Sequence, residues 1–223
     1  GKGDRMSHRS PEGGAHELPK PLVPVKGKAI LFHQIDYFLP HTQKIIISTG
    51  HRAQEIEDAV KGYYKAIFGS ETSKYGSRIL FSPEEKPLGT AGGIKLAATQ
   101  ATTDMVIIVN CDDITNISIP TLNTITKNTI VVGHPVLPFG LVEERDGFAV
   151  FKEKPTLPLW VSAGWYVLDR EMILREFPDV GSIEYDVFPR IKVRLCKHEG
   201  MWHPLTTKKD VAEFETISRP TLA

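Results

Sequence analysis

Short β-branched runs recur along the chain, each followed by a longer stretch with helical periodicity. Residues 44–49 (Lys-Ile-Ile-Ile-Ser-Thr) end at Gly50 and read as a strand buried on both faces. Residues 104–110 (Asp-Met-Val-Ile-Ile-Val-Asn) repeat the pattern, and residues 78–82 form a shorter run between them. The stretch 52–68 places Ile56, Ala59, Val60, Tyr63, Tyr64 and Ile67 on one helical face. Helices are also predicted over 29–39, 90–99 and 120–127. This alternation predicts a Rossmann-like α/β fold with a doubly wound, mostly parallel, mixed sheet flanked by helices. Ligands in such sheets bind beyond the carboxyl ends of the strands.

After Thr129 the rhythm changes. Strands are predicted over 129–136 and 160–169, with a hairpin over 141–152 inserted into the sheet and turning at Arg145-Asp-Gly147. Helices are predicted over 171–177, 183–192 and 209–217. No repeat or linker interrupts the 223 residues, so a single domain is expected. Lys plus Arg equals Asp plus Glu, 27 each, so no global field favours nucleic acid or an anionic membrane. The apolar runs are too short to span a bilayer, and Cys111 and Cys196 have no metal-ligand spacing. With no visible signal peptide, a cytoplasmic protein is expected.

Any attraction for phosphate must therefore be local. Gly1 and Gly3 allow backbone N–H groups to approach phosphate oxygens, and Arg5 can fork onto them. Lys20 sits between Pro19 and Pro21, which stiffen the backbone on both sides of its charge. Pro87-Leu-Gly-Thr-Ala-Gly-Gly93, preceded by Glu84, joins a strand to a helix through residues small enough to admit a planar ring. Asp112, in Val109-Asn-Cys-Asp-Asp113, lies where a carboxylate can hold Mg²⁺ with substrate phosphates, and Asp113 is the weaker choice. Phe151-Lys-Glu-Lys-Pro155, Trp160 to Leu168, Ser182 to Pro189 and Trp202 to Asp210 complete the series.

Taken in this order, the motifs resemble the signature of the sugar-1-phosphate nucleotidyltransferases, the nucleotide-sugar pyrophosphorylases. That family includes mannose-1-phosphate guanylyltransferase and glucose-1-phosphate thymidylyltransferase, and the resemblance covers nearly the whole chain. It implies a nucleotide-binding half over about 1–128 and a sugar-binding half over about 129–223. It implies that Gly1, Gly3, Glu84, Gly89, Thr90 and Gly92 bind the nucleotide. Arg5 would hold the departing pyrophosphate and Lys20 the α-phosphate. Glu153 would meet a sugar hydroxyl, Lys154 the sugar phosphate, and Gly164 would leave room for the ring. Glu184 and Asp186 would be polar supports, and Asp112 would bind Mg²⁺.

The implied reaction makes an NDP-sugar and pyrophosphate from an NTP and mannose-1-phosphate or glucose-1-phosphate. Three positions depart from the family pattern: Asp4 for threonine, Cys111 for glycine, and Thr206 for the second metal-binding aspartate. They motivate an alternative, a nucleotide-sugar-binding or regulatory relative with little catalysis. Asp210 is expected to cap the last helix. In the family a strand precedes the glycine loop, so about one strand is expected upstream of Gly1. A homo-oligomer is compatible with the sequence, which names neither the base nor the sugar.

Overall fold

The computed structural model describes residues 8–9, 17–69 and 77–217. Gly1, Gly3, Asp4 and Arg5 lie outside the described residues.

The described chain opens with a two-residue pairing of β1 (His8–Arg9) with β2 (Glu17–Leu18). A single 3-10 turn, Lys20–Leu22, follows, then a tight pair, β3 (Pro24–Val25) and β4 (Lys28–Ala29). Helix α1 (Ile30–Phe38) buries Ile30, Leu31, Ile35 and Phe38. Strand β5 (Ile45–Thr49) leads into α2 (Ala53–Phe68), and β6 (Ile79–Pro83) returns parallel to β5. Helix α2 buries Ile56, Val60 and Tyr64 at the expected spacing, but Ile67 stays about half exposed. Helix α3 (Gly89–Ala98) and β7 (Met105–Val109) complete the alternation.

Beyond β7 the chain makes β8 (Asp113–Thr115), α4 (Ile119–Leu122), β9 (Thr129–Gly133), and a hairpin of β10 (Leu141–Arg145) and β11 (Phe148–Lys152). Then come β12 (Val161–Asp169), α5 (Arg170–Glu176), a π-helical turn at Ile183–Val187, β13 (Arg194–Lys197), β14 (Trp202–Pro204) and α6 (Lys208–Thr216). One sheet has the order β13-β9-β12-β7, with β12 antiparallel to both its neighbours and β13 parallel to β9. The mixed α/β fold is as expected. Parallel pairing is confined to β5–β6 and β9–β13 among the described residues.

Three expectations are corrected. The helix foreseen over 120–127 is the single turn α4, capped by Ser118. Its continuation, Asn-Thr-Ile-Thr, consists of residues with poor helix propensity. The helix foreseen over 183–192 is only the π-helical turn, because Pro189 cannot donate to a continuing ladder. The hairpin does not enter the sheet; β10 and β11 pair with each other alone among the described residues. Its turn is sharp because Asp146 and Gly147 both adopt positive φ, 52° and 82°.

The core that supports the strand ends centres on Trp165, wholly buried among Phe38, Ile117, Ile119, Leu122, Val131 and Val167. Trp165 stands opposite Val109 in the β12–β7 register, three residues before Asp112. The geometry of the loop after β7 is thereby tied to the best-packed side chain of the sheet.

Candidate active site

Lys20 and Asp112 come together as an ion pair, although 92 residues separate them. Lys20 opens the 3-10 turn with Pro19 extended before it and Pro21 inside it, and Leu22 N donates to Pro19 O at 2.8 Å. Asp112 occupies the turn between β7 and β8. Both side chains keep about a fifth of their surface open, 23% and 21%, so an arriving anion can reach Lys20 and a cation can reach Asp112. The backbone of Asp112 is fixed from the other side. Its carbonyl accepts from Leu205 N at 2.7 Å, and Pro204 of β14 pairs with Asp113 of β8.

That pairing carries Thr206 past the loop that holds Asp112. Its hydroxyl donates to Asp210 Oδ2 at 2.7 Å, and its backbone N donates to the same oxygen at 2.9 Å. Asp210 forms a capping box with Thr207 at the start of α6. Thr207 is the N-cap and Asp210 its capping-box partner, so Asp210 supports the helix start; burial acts to raise its carboxyl, and the hydrogen bonds from Thr206 and Thr207 outweigh it and hold it low.

Cys111 is half-buried. It packs against the cluster of Leu31, Ile35, Val60 and Ile79, and burial pushes its thiol up to about 12, with help from the Asp112 charge. The side chain that replaces the family glycine therefore packs against the edge of the core, and its raised pKa keeps it a protonated thiol near neutral pH.

Asp113 is buried, 3% exposed, and its carbonyl accepts from the Gln34 amide. Burial, then the neighbouring Asp112 charge, pushes its carboxyl up to about 8. The Trp202 indole N–H lies near enough to oppose the rise, without closing a hydrogen bond to Oδ2. An unfolded aspartate releases its proton near pH 4. Between there and the folded value, only the folded chain holds the proton, so this contribution is complete at acid pH and is lost as pH rises through about 8. Metal-free denaturation from about pH 5 to about pH 9 is expected to show falling stability, with Asp113→Asn removing on the order of 3 kcal/mol of that fall. Parallel profiles for the two proteins would contradict this.

The residues expected at the nucleotide lie where β6 meets α3. Glu84 N donates to Thr49 O at 2.7 Å, and its carboxylate accepts from Leu88 N at 3.1 Å, closing the loop before α3. Thr90 Oγ1 accepts from Ile183 N at 2.9 Å and donates to Glu184 Oε2 at 3.3 Å. Ser182 N donates to Asp186 Oδ2 at 2.8 Å, so Glu184 and Asp186 both brace this turn. Gly89 and Gly92 face the 179–181 backbone. A Cβ on Gly89 would collide with Gly181 O, and one on Gly92 with Asp179 O. Gly89 also lies at φ +73°, and Gly181 N donates to Leu88 O at 2.9 Å. Gly89→Ala is expected to lower stability by about 2 kcal/mol or more in urea denaturation, from left-handed strain plus backbone displacement.

Glu153 and Lys154 follow β11. Lys154 adopts φ 42°, and its ammonium pairs with Glu213 of α6, which holds the lysine charged and the Glu213 carboxyl low. Glu213 was not among the residues singled out in the sequence; nothing local connects it to a lysine 59 residues away. Glu153 lies beside Gly140, where a Cβ would stand 3.2 Å from Glu153 Oε2. Gly164 sits in β12 at φ +72°, its carbonyl accepting from Asn110 N at 3.0 Å.

Mg²⁺ usually takes one or two protein carboxylates and completes its shell with phosphate oxygens and water. Asp112 is one accessible carboxylate, and no group of three or more His, Cys, Asp or Glu side chains is placed to hold a metal among the described residues. This donor set fits an ion that arrives with phosphates. Among the described residues no helix is long and apolar enough to cross a membrane.

Residues 1–138 match the family described as the MobA-like NTP transferase domain. The catalytic subunit beta of mannose-1-phosphate guanylyltransferase from Drosophila melanogaster is 30% identical over 210 residues, covering 86% of this chain and 55% of that protein. A mannose-1-phosphate guanyltransferase from Yarrowia lipolytica is 29% identical over 212 residues, with 86% and 56% covered. The chain spans about half the length of these curated relatives. Among solved structures, HddC from Yersinia pseudotuberculosis, complexed with GMP-PN, aligns with a TM-score of 0.69 at 19% identity over 94% of each chain. A putative glucose-1-phosphate thymidylyltransferase from Bacillus anthracis aligns with a TM-score of 0.62 at 17% identity, over 100% of this chain and 95% of that one. These two likenesses concern the fold, and the sequence match over more than half the chain carries the assignment. The chain belongs to the MobA-like NTP transferase domain family.

Proposed function

We propose that the protein is a sugar-1-phosphate nucleotidyltransferase that makes an NDP-sugar and pyrophosphate from an NTP and mannose-1-phosphate or glucose-1-phosphate. The observation that carries this reading is the Lys20–Asp112 pair, a cation and a metal-binding type of carboxylate brought together at the carboxyl end of β7. The mannose-1-phosphate guanylyltransferase names of the relatives support the substrate class. In this reading the chain works as one domain, with about 1–128 serving the nucleotide and about 129–223 the sugar.

A phosphate oxygen of the sugar-1-phosphate attacks the α-phosphorus of the NTP, a new P–O bond forms, and the bond to the departing pyrophosphate breaks. No side chain becomes covalently attached, so positioning two anions and balancing their charge is the whole task. Lys20 leaves Asp112 for the α-phosphate. Arg5 holds the pyrophosphate, with the backbone of Gly1 and Gly3 against the phosphates. Glu84, Gly89, Thr90 and Gly92 hold the nucleoside by the rim of their loop. Lys154 holds the sugar phosphate, Glu153 takes a sugar hydroxyl, and Gly164 belongs to the wall of the sugar site. Asp112 would hold Mg²⁺, which when bound screens the repulsion between the two substrates.

The test is pyrophosphate release with four NTPs crossed against mannose-1-phosphate and glucose-1-phosphate, with and without Mg²⁺. Metal-dependent release with one pair supports the reading and names the substrates. Silence across the panel, with ligands still raising the melting temperature, overturns it in favour of a nucleotide-sugar-binding relative.

A further inference from the structure

The room that Gly164 leaves by lacking a side chain is already taken. β12 slips its register against β9 between Ser162 and Trp165, and Gly164 lies inside that irregularity. A Cβ there would collide with Asn110 Nδ2 and stand 3.0 Å from Asp113 Oδ2. Glycine is favoured here by the left-handed backbone, φ +72°, and its missing side chain leaves the place that the Asn110 carboxamide occupies.

Asn110 is the exposed member of this group. It sits immediately after β7, two residues before Asp112, and its backbone N is fixed by the bond to Gly164 O. Its side chain has no hydrogen-bond partner among the described residues. Close to the same point of Gly164, Asp113 is 3% exposed and its Oδ2 has no hydrogen-bond partner either. A carboxamide offers a donor and an acceptor side by side, which matches a hydroxyl group. It carries no charge, so it suits a phosphate less well than Lys20 or Lys154 does.

We propose that Asn110 is a specificity-determining residue that reads a ring hydroxyl of the sugar, and that Gly164 serves by making room for its amide. This rests on the transferase reading. It moves recognition of the ring from an open glycine to a named donor–acceptor group at the strand end.

The test is steady-state kinetics of the unaltered protein, Asn110→Ala, Asn110→Asp and Gly164→Ala with both sugar phosphates. Asn110→Ala is expected to raise the KM for the preferred sugar phosphate about tenfold or more, and to narrow the preference between the two sugars, with the KM for NTP unchanged. Asn110→Asp, which keeps the shape, loses the donor and adds a negative charge, is expected to lose the same discrimination and to weaken sugar-phosphate binding further. Gly164→Ala is expected to reproduce the selective loss by pushing the amide aside. An unchanged sugar KM and preference in Asn110→Ala overturns the assignment while leaving the transferase reading intact. A rise confined to the KM for NTP also overturns it, placing Asn110 at the nucleotide. If the unaltered protein releases no pyrophosphate with any pair, the transferase reading fails and the assignment falls with it.

Discussion

Lys20→Ala is expected to lower turnover by at least about a hundredfold while leaving the fold intact. Lys20 is held by the flanking prolines and placed against Asp112; in the proposed reading it needs no search to find the phosphate that would replace this partner. Removing it leaves charge on the α-phosphate without a counter-charge and leaves Asp112 beside an anion. The ion pair is partly open to solvent, so its loss costs little folding energy, about 1 kcal/mol or less. The signature is a collapse of kcat with a urea midpoint lowered by no more than that small loss. Lys20→Arg is expected to recover only part of the loss, because a planar fork does not occupy the position of a compact ammonium. Near-normal turnover in Lys20→Ala would remove the lysine from the chemistry.

Trp165→Ala is expected to produce the largest loss of stability, about 3–5 kcal/mol. The side chain is wholly buried and stacks on Phe38 with ring centroids 5.3 Å apart. It bridges β12 to α1 and to the residues around α4, so its truncation leaves a void that several elements line. Its indole N–H has no partner, so the loss is one of packing and not of hydrogen bonding. Trp165→Phe keeps most of the ring contact and removes an unpaired donor; a loss of about half or less is expected there. Urea denaturation checks both: the midpoint should fall with the slope unchanged. Because Trp165 faces Val109 across the β12–β7 pairing, Trp165→Ala should also weaken the seating of Asp112 and reduce turnover in the surviving folded fraction.

Much of this was legible in the sequence because it is written locally. β-branched runs mark β5 and β7, apolar spacing marks α2, and Asp210 marks the start of α6. Lys20 and Asp112 stood out through their immediate surroundings, a proline on either side of one and a buried strand before the other. What the sequence hid depends on partners far along the chain. β8 and β14 are three residues each and exist through pairing with each other. β13 is a mostly exposed four-residue strand whose register comes from β9. The Lys154–Glu213 pair and the seat of the Asn110 amide over Gly164 likewise arise only when distant segments meet. Periodicity cannot report such contacts, since it carries no information on which strand a short segment will join.

The hairpin of β10 and β11 has a consequence for how the molecule breathes. Its ladder consists of cross-strand partners from Leu141–Lys152 to Arg145–Phe148, with no third strand among the described residues, and its Val142, Phe148 and Phe151 side chains are largely exposed. A two-stranded ribbon of this kind is marginal by itself. Its amide protons should therefore exchange with deuterium through a local opening, long before those of β9 and β12, which are released only when Trp165 and its neighbours come apart. Since the hairpin runs directly into Glu153 and Lys154, the protection of its amides becomes a readout for that side of the site: a sugar phosphate that engages Lys154 should slow their exchange, and an NTP alone should leave it unchanged.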